Sequence, residues 1–219
     1  VKYRGFLFDL DGTLVDSLPA VVRAWSLWGE RNGLSAETVL NYIHGKPAIN
    51  SLRHFMAGQP EEAIQAEFRW LERLEAEDTQ GVQAIAGAHA LLATLNELSI
   101  PWAIVTSGSV PVAHARHKAA GLPMPAVFIT AENIKLGKPN PEPYLLGAQR
   151  LGLKAAECVV VEDAPAGIIA GLEAGSAVVA VNPHGDVPRL DEVTWRVDNL
   201  EPLQIARDAS GCFTLTLKA

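Results

Sequence analysis

Cysteine is scarce in this chain: its 219 residues hold two, Cys158 and Cys212. Neither stands at a metal-ligand spacing, and a lone pair builds no disulfide framework, so a zinc-binding module and a disulfide-stapled scaffold are both excluded. Reduced thiols in the cytoplasm are expected. Positive charge is also in deficit, with 18 Lys and Arg against 25 Asp and Glu and a formal net charge of -7. Phosphate backbones recruit an excess of cations, and no basic stripe occurs, which speaks against nucleic acid as a partner. Long apolar runs are missing too. No segment approaches the roughly 20 residues that span a bilayer, and the opening VKYRGFLFDLDG lacks the basic-then-apolar layout of a signal peptide. A membrane partner is not expected. Internal repeats and low-complexity tracts are absent as well.

What the chain does have is 48% apolar residues, enough for one large domain or for a core carrying an insert. Residues 5–10, GFLFDL, form an apolar run ending in Asp-Gly, the pattern of a buried strand entering a turn. From Leu18 the period changes: Leu18, Val21, Val22, Trp25 and Trp28 share one helical face, and Gly33 is a stop. Three more helices are predicted behind Ser35, Pro47 and Pro60. Residues 17–81 therefore read as an all-helical cap inserted into a core made of residues 1–16 and 82–219.

The core alternates. Helices starting near 87, 111, 141 and 166 are interleaved with the apolar strands WAIVT, VFIT, CVVVE and AVVAV. Such alternation implies an α/β fold, a doubly wound parallel sheet covered on both faces. The tail CFTLTL reads as an edge strand or a hairpin.

In such sheets ligands bind beyond the carboxyl ends of the strands. Four polar clusters occupy those positions: Asp9-Leu10-Asp11-Gly12-Thr13, Thr106-Ser107-Gly108, Gly137-Lys138-Pro139 and Glu162-Asp163. One Asp-x-Asp-Gly-Thr alone is weak, because Asp and Gly populate ordinary turns. Four clusters in order, each beside the right element, are far more specific.

Crowded carboxylates with too few cations point to a bound metal, and oxygen ligands with substrate phosphate suit Mg2+ better than zinc. The ion and Lys138 would offset a phosphate dianion so that a carboxylate can attack phosphorus. Asp9 is the natural nucleophile, and Asp11, two residues on, the acid and base. Thr106 and Ser107 are placed to hold phosphate oxygens.

On these residues the chain resembles the haloacid dehalogenase superfamily, in the branch with a helical cap after the first motif and a Rossmann-like core; the resemblance runs through the whole chain. It implies that Asp9 is the nucleophile, Asp11 the acid/base, Thr106 the motif hydroxyl and Lys138 the motif lysine. It also implies Mg2+ held by the Asp9 side chain, the Asp11 carbonyl and Asp163, with Glu162 nearby. The stretches His44-Gly45, GKPNPEPYL and VEDAPAG resemble phosphatases of small sugar and polyol phosphates, such as hexitol, deoxyglucose and glycerol phosphates. His44, Gly45 and Lys46 of the cap are the expected substrate contacts, a small phosphorylated metabolite the expected partner, and a monomer or weak homodimer the expected state.

Three rivals are weighed against this reading. A phosphomutase of the beta-phosphoglucomutase type would carry a hinge histidine and a cap arginine where this chain has Val21 and Ala48. A dehalogenase needs neither a metal nor the second motif Asp. A non-catalytic binding module on the same fold sits poorly with an intact set of acids.

Overall fold

The computed structural model describes residues 1–44, 46–183 and 186–219. In chain order its main elements are β1 (Gly5–Phe8), β2 (Val15–Asp16), α1 (Leu18–Arg31), α2 (Ala36–Ile43), α3 (Ala48–Phe55), α4 (Glu61–Glu77) and β3 (Gln83–Ala84). There follow α5 (Ala88–Glu97), β4 (Trp102–Val105), α6 (Val110–Ala120), β5 (Val127–Ile129), α7 (Glu142–Arg150), β6 (Cys158–Glu162), α8 (Pro165–Glu173), β7 (Ala177–Val181) and β8 (Trp195–Val197). The chain ends with β9 (Leu203–Arg207) and β10 (Phe213–Leu217).

Six strands form one parallel sheet in the order β5-β4-β1-β6-β7-β8. Side chains alternate across it, as the period of two requires. Phe6, Phe8, Ile104, Val159 and Val161 pack on one face against Leu91, Leu92 and Leu95 of α5. Leu7, Val105 and Val160 pack on the other against Tyr144 of α7 and Ile168 of α8. Burial on both faces is why these strands read as unbroken apolar runs. After β1 the chain builds outward on one side through β4 and β5, then returns to β1's other side with β6. The order of strands thus reverses at β1, and ligands in open α/β sheets bind at such a switch.

Helices α1 to α4 enclose a separate apolar cluster that includes Trp25, Trp28, Val39, Leu52, Ile64 and Leu71. The tryptophans at 25 and 28 thus serve packing. Leu18 departs from the predicted face: it is 54% exposed, because in the first turn it points toward the cleft between helices and sheet. Ala20 and Ala24 are buried in that helix instead. At the junction, β2 and β3 pair antiparallel, Val15 with Ala84 and Asp16 with Gln83. The tail resolves as a hairpin, β9 with β10, anchored by Phe213 stacked on Phe6 at 4.8 Å. Among the described residues no helix is long and apolar enough to cross a membrane.

Candidate active site

Asp9 directly follows β1, and its N–H donates to Val161 O at 3.0 Å, so the residue is locked between the two central strands. The chain then turns tightly, with the amides of Thr13, Leu14 and Val15 all directed at Leu10 O. Gly12 makes the turn possible. Its φ is +82°, and a Cβ there would stand 2.1 Å from Asp163 Oδ2, so both the backbone and the neighbouring acid demand glycine. The buried Thr13 hydroxyl lies 3.1 Å from Asp163 Oδ1 and 3.4 Å from Asp9 Oδ2, stitching the two acids together.

Lys138 arrives from the segment before α7. Its ammonium donates to Asp9 Oδ1 at 3.1 Å, Glu162 Oε1 at 2.7 Å and Val105 O at 2.9 Å, which uses all three of its N–H bonds. Burial opposes that charge, yet Asp9 and Glu162 outweigh it and raise the lysine pKa. Lys138 is therefore a fixed cation. Glu162, at the end of β6, is fully buried. Its Oε1 also accepts from Tyr144 Oη at 2.5 Å, and its Oε2 accepts from the amides of Asp163 and Ala164. Gly167, in the first turn of α8, leaves the room this carboxylate occupies: a Cβ would fall 1.8 Å from Oε1.

One oxygen from each of Asp9, Glu162 and Asp163 lies within 4.8 Å of the others. Three carboxylates against the single Lys138 ammonium leave two negative charges in excess. The strain shows in the acids: burial, then Asp9, pushes Glu162 up to about 7, and burial, then Asp9 and Glu162, carries Asp163 well above the carboxylate range. A cluster built of oxygens alone, with surplus negative charge, fits a hard divalent cation.

Not every predicted ligand enters this group in the same way. The Asp11 carboxylate lies outside it, since its Oδ1 accepts from Ser17 Oγ at 2.6 Å and from Arg116 Nη1 at 3.3 Å. Any part that Asp11 plays in holding a metal therefore falls to its backbone carbonyl. Both oxygens of Glu162 already have donors, so it suits an outlying place.

The predicted phosphate-holding residues lie in the same cleft, a cavity of about 390 Å³ between sheet and helices. Thr106 is buried, and its Oγ1 accepts from the Gly108 amide at 3.1 Å, which leaves the hydroxyl proton free to donate. Ser107 is exposed at the rim. His44 and Lys46 also line the cavity; Lys46 Nζ is held by Tyr42 O at 2.7 Å and lies over the Tyr42 ring. Gly45 falls outside the described residues. His54 stacks on Tyr42 at 3.8 Å, a packing contact.

Sequence reasoning missed Tyr144, Ser17, Arg116 and Glu75, although all four are tied to the acids. Tyr144 stands in an ordinary amphipathic helix. Arg116 lies in the string His-Ala-Arg-His-Lys, which reads as the solvated basic end of a helix; no local signal marks either.

Comparison with known proteins bears on this geometry. The family model for haloacid dehalogenase-like hydrolases matches residues 3–175. Hexitol phosphatase A of Escherichia coli (strain K12) is 62% identical over 211 residues, 96% of this chain and 98% of that protein. Glycerol-1-phosphate phosphohydrolase 2 of Saccharomyces cerevisiae is 35% identical, with 88% of this chain and 80% of that protein aligned. Among solved structures, a hydrolase from Pseudomonas syringae superposes with a TM-score of 0.77 at 26% identity, covering 90% of this chain and 93% of that one. A haloacid dehalogenase family hydrolase from Deinococcus radiodurans, with bound phosphate and sodium, has a TM-score of 0.65 at 27% identity, covering 90% and 91%.

Proposed function

The chain belongs to the haloacid dehalogenase-like hydrolase family, and on that premise we propose that it is a Mg2+-dependent phosphatase of small sugar or polyol phosphates, hexitol phosphates foremost. The observation that carries the proposal is the meeting of Asp9, Lys138, Glu162 and Asp163 at the sheet's switch point. The 62% identity to a hexitol phosphatase supports the substrate class.

Asp9 attacks phosphorus. An oxygen–phosphorus bond forms on its carboxylate as the bond from phosphorus to the alkoxide breaks, and Asp11 hands a proton to the departing oxygen. Water then attacks the same phosphorus, Asp9 leaves, and the water's proton goes to Asp11. The Thr106 hydroxyl and Ser107 hold the phosphoryl oxygens throughout, while the charge of Lys138, fixed on Asp9 and Glu162, offsets that of the phosphate. Mg2+ would be held by the Asp9 side chain, the Asp11 carbonyl and Asp163, with Glu162 alongside, and when bound it supplies the positive charge the carboxylates and the phosphate dianion lack.

Helices α1 to α4, within residues 17–81, would act as the cap, presenting His44, Gly45 and Lys46 to the hydroxyls of the substrate. A mutase is the second reading. Val21 and Ala48, both in the cavity wall, argue against it, because neither side chain can bind a second phosphate or move a proton. The reading places the protein in the cytoplasm with a small phosphorylated metabolite as its partner.

The test is phosphate release with Mg2+ across hexitol, hexose, pentose, glycerol and nucleotide monophosphates. Hexitol or hexose phosphates should lead. A preference for nucleotides would refute the substrate class, and full turnover by Asp9→Asn in EDTA would exclude the mechanism.

A further inference from the structure

Outside the phosphate-handling cluster the cleft holds a buried cation that the chemistry above does not use. Arg116 projects from α6, on the sheet side, and is 5% exposed. Its Nη2 donates to Glu75 Oε2 of α4 at 2.5 Å, and its Nη1 to Asp11 Oδ1 at 3.3 Å. Its Nε is buried without a partner. Glu75 is itself only 7% exposed and lies in the last turns of the helix by which the chain leaves the cap. The other bond to Asp11 Oδ1 comes from Ser17, the residue that immediately precedes α1 and opens the helical segment. A single carboxylate oxygen is thus gripped from the cap's entry directly and from its exit through Arg116.

We infer that Arg116 is a positioning residue that ties the seating of α4 against α6 to the orientation of the Asp11 carboxylate. The guanidinium is a rigid planar fork whose two arms cannot move independently. If α4 shifts, the fork must either turn with Glu75, dragging on Asp11, or give up a buried ion pair, which leaves an uncompensated charge. The β2–β3 pairing joins the same two ends of the segment, so a movement of the helices is felt within a few residues of Asp11. The acid/base is therefore set in place when the helices are seated on the sheet. This rests on the phosphatase reading, in which Asp11 moves the proton.

The experiment measures kcat and KM on a hexitol phosphate with saturating Mg2+ for wild type, Asp11→Asn, Arg116→Met, Glu75→Gln and the Arg116→Met/Glu75→Gln pair. Each variant is first checked for a native far-UV circular dichroism spectrum. Misplacing a catalytic group by about an ångström can cost on the order of 100-fold, so Arg116→Met should lower kcat roughly 30-fold with KM within about threefold. Glu75→Gln should lower kcat about fivefold, and the pair should be no worse than Arg116→Met alone, because Glu75 acts through the arginine. If Arg116→Met does not fold, Glu75→Gln decides by itself: a loss in kcat supports the tie, and an unchanged kcat overturns it. Folded variants with wild-type kcat, effects confined to KM, or losses that multiply in the pair would overturn the tie while Asp11→Asn remains inactive. A wild type that releases no phosphate would overturn the phosphatase reading and the tie with it.

Discussion

The hydroxyl of Tyr144 donates to Oε1 of Glu162 at 2.5 Å, with both groups fully buried and Lys138 Nζ sharing the same oxygen. The tyrosine takes part in holding a charged group that holds the lysine, which in turn touches Asp9. Tyr144→Phe removes only that donor. It should cost about 1–3 kcal/mol in urea unfolding, the penalty of a hydrogen bond lost from a buried charged acceptor, and lower kcat with little change in KM. Unchanged stability and kcat would mean that the bond does not matter to the site.

Gly12 meets two constraints at once, a φ of +82° and a Cβ position 2.1 Å from Asp163 Oδ2. Gly12→Ala must strain the turn and displace Asp163. The Mg2+ concentration for half-maximal activity should rise by about 10-fold or more, as when groups that orient a metal ligand are lost. A metal titration matching that of the wild type would contradict the proposed place of Asp163.

Stability without divalent ions should fall as pH rises. Glu162, ordinarily near 4.5, is pushed up to about 7, by burial first and then by Asp9. A folded-state pKa above the unfolded one means that folding favours the protonated acid. That contribution is complete below 4.5 and is lost as the pH passes 7. In EDTA the thermal midpoint should therefore drop between pH 5 and 8, and added Mg2+ should flatten the slope. A midpoint that climbs over this window in EDTA would be the opposite of what the site requires.

Cys158 is buried in β6, and burial pushes its thiol up to about 12. Cys212 is partly exposed. Since the thiolate is the reactive form, Ellman's reagent at pH 8 should titrate one thiol in the native protein and two after denaturation. Cys212→Ser should bring the native count to none. Two fast-reacting thiols in the native wild type would contradict the burial of β6.

Much of this molecule is legible along the chain because it is written in local patterns. The sheet's strands, buried on both faces, show as apolar runs. Asp9 with Asp11, and Glu162 with Asp163, are near neighbours in sequence, and the rule that sites gather beyond strand ends brings them together with Thr106 and Lys138. The shortest strands leave no mark: β2 and β3 have two residues each, too few for any periodicity, and they exist only because each supplies the other with hydrogen bonds.

The sequence by itself determined the fold class, the run of helices between β2 and β3 and the acids at the centre, since each depends on residue type, spacing or adjacency. Tertiary structure alone decided that Tyr144 would brace Glu162, that Arg116 would join Glu75 to Asp11, and that the Asp11 carboxylate would turn toward Ser17. The physical reason lies in contact distance along the chain. Glu75 and Arg116 are separated by 41 residues, and Arg116 and Asp11 by 105. Pairings that remote leave no mark on local composition or period and arise only when α4 comes to rest against α6.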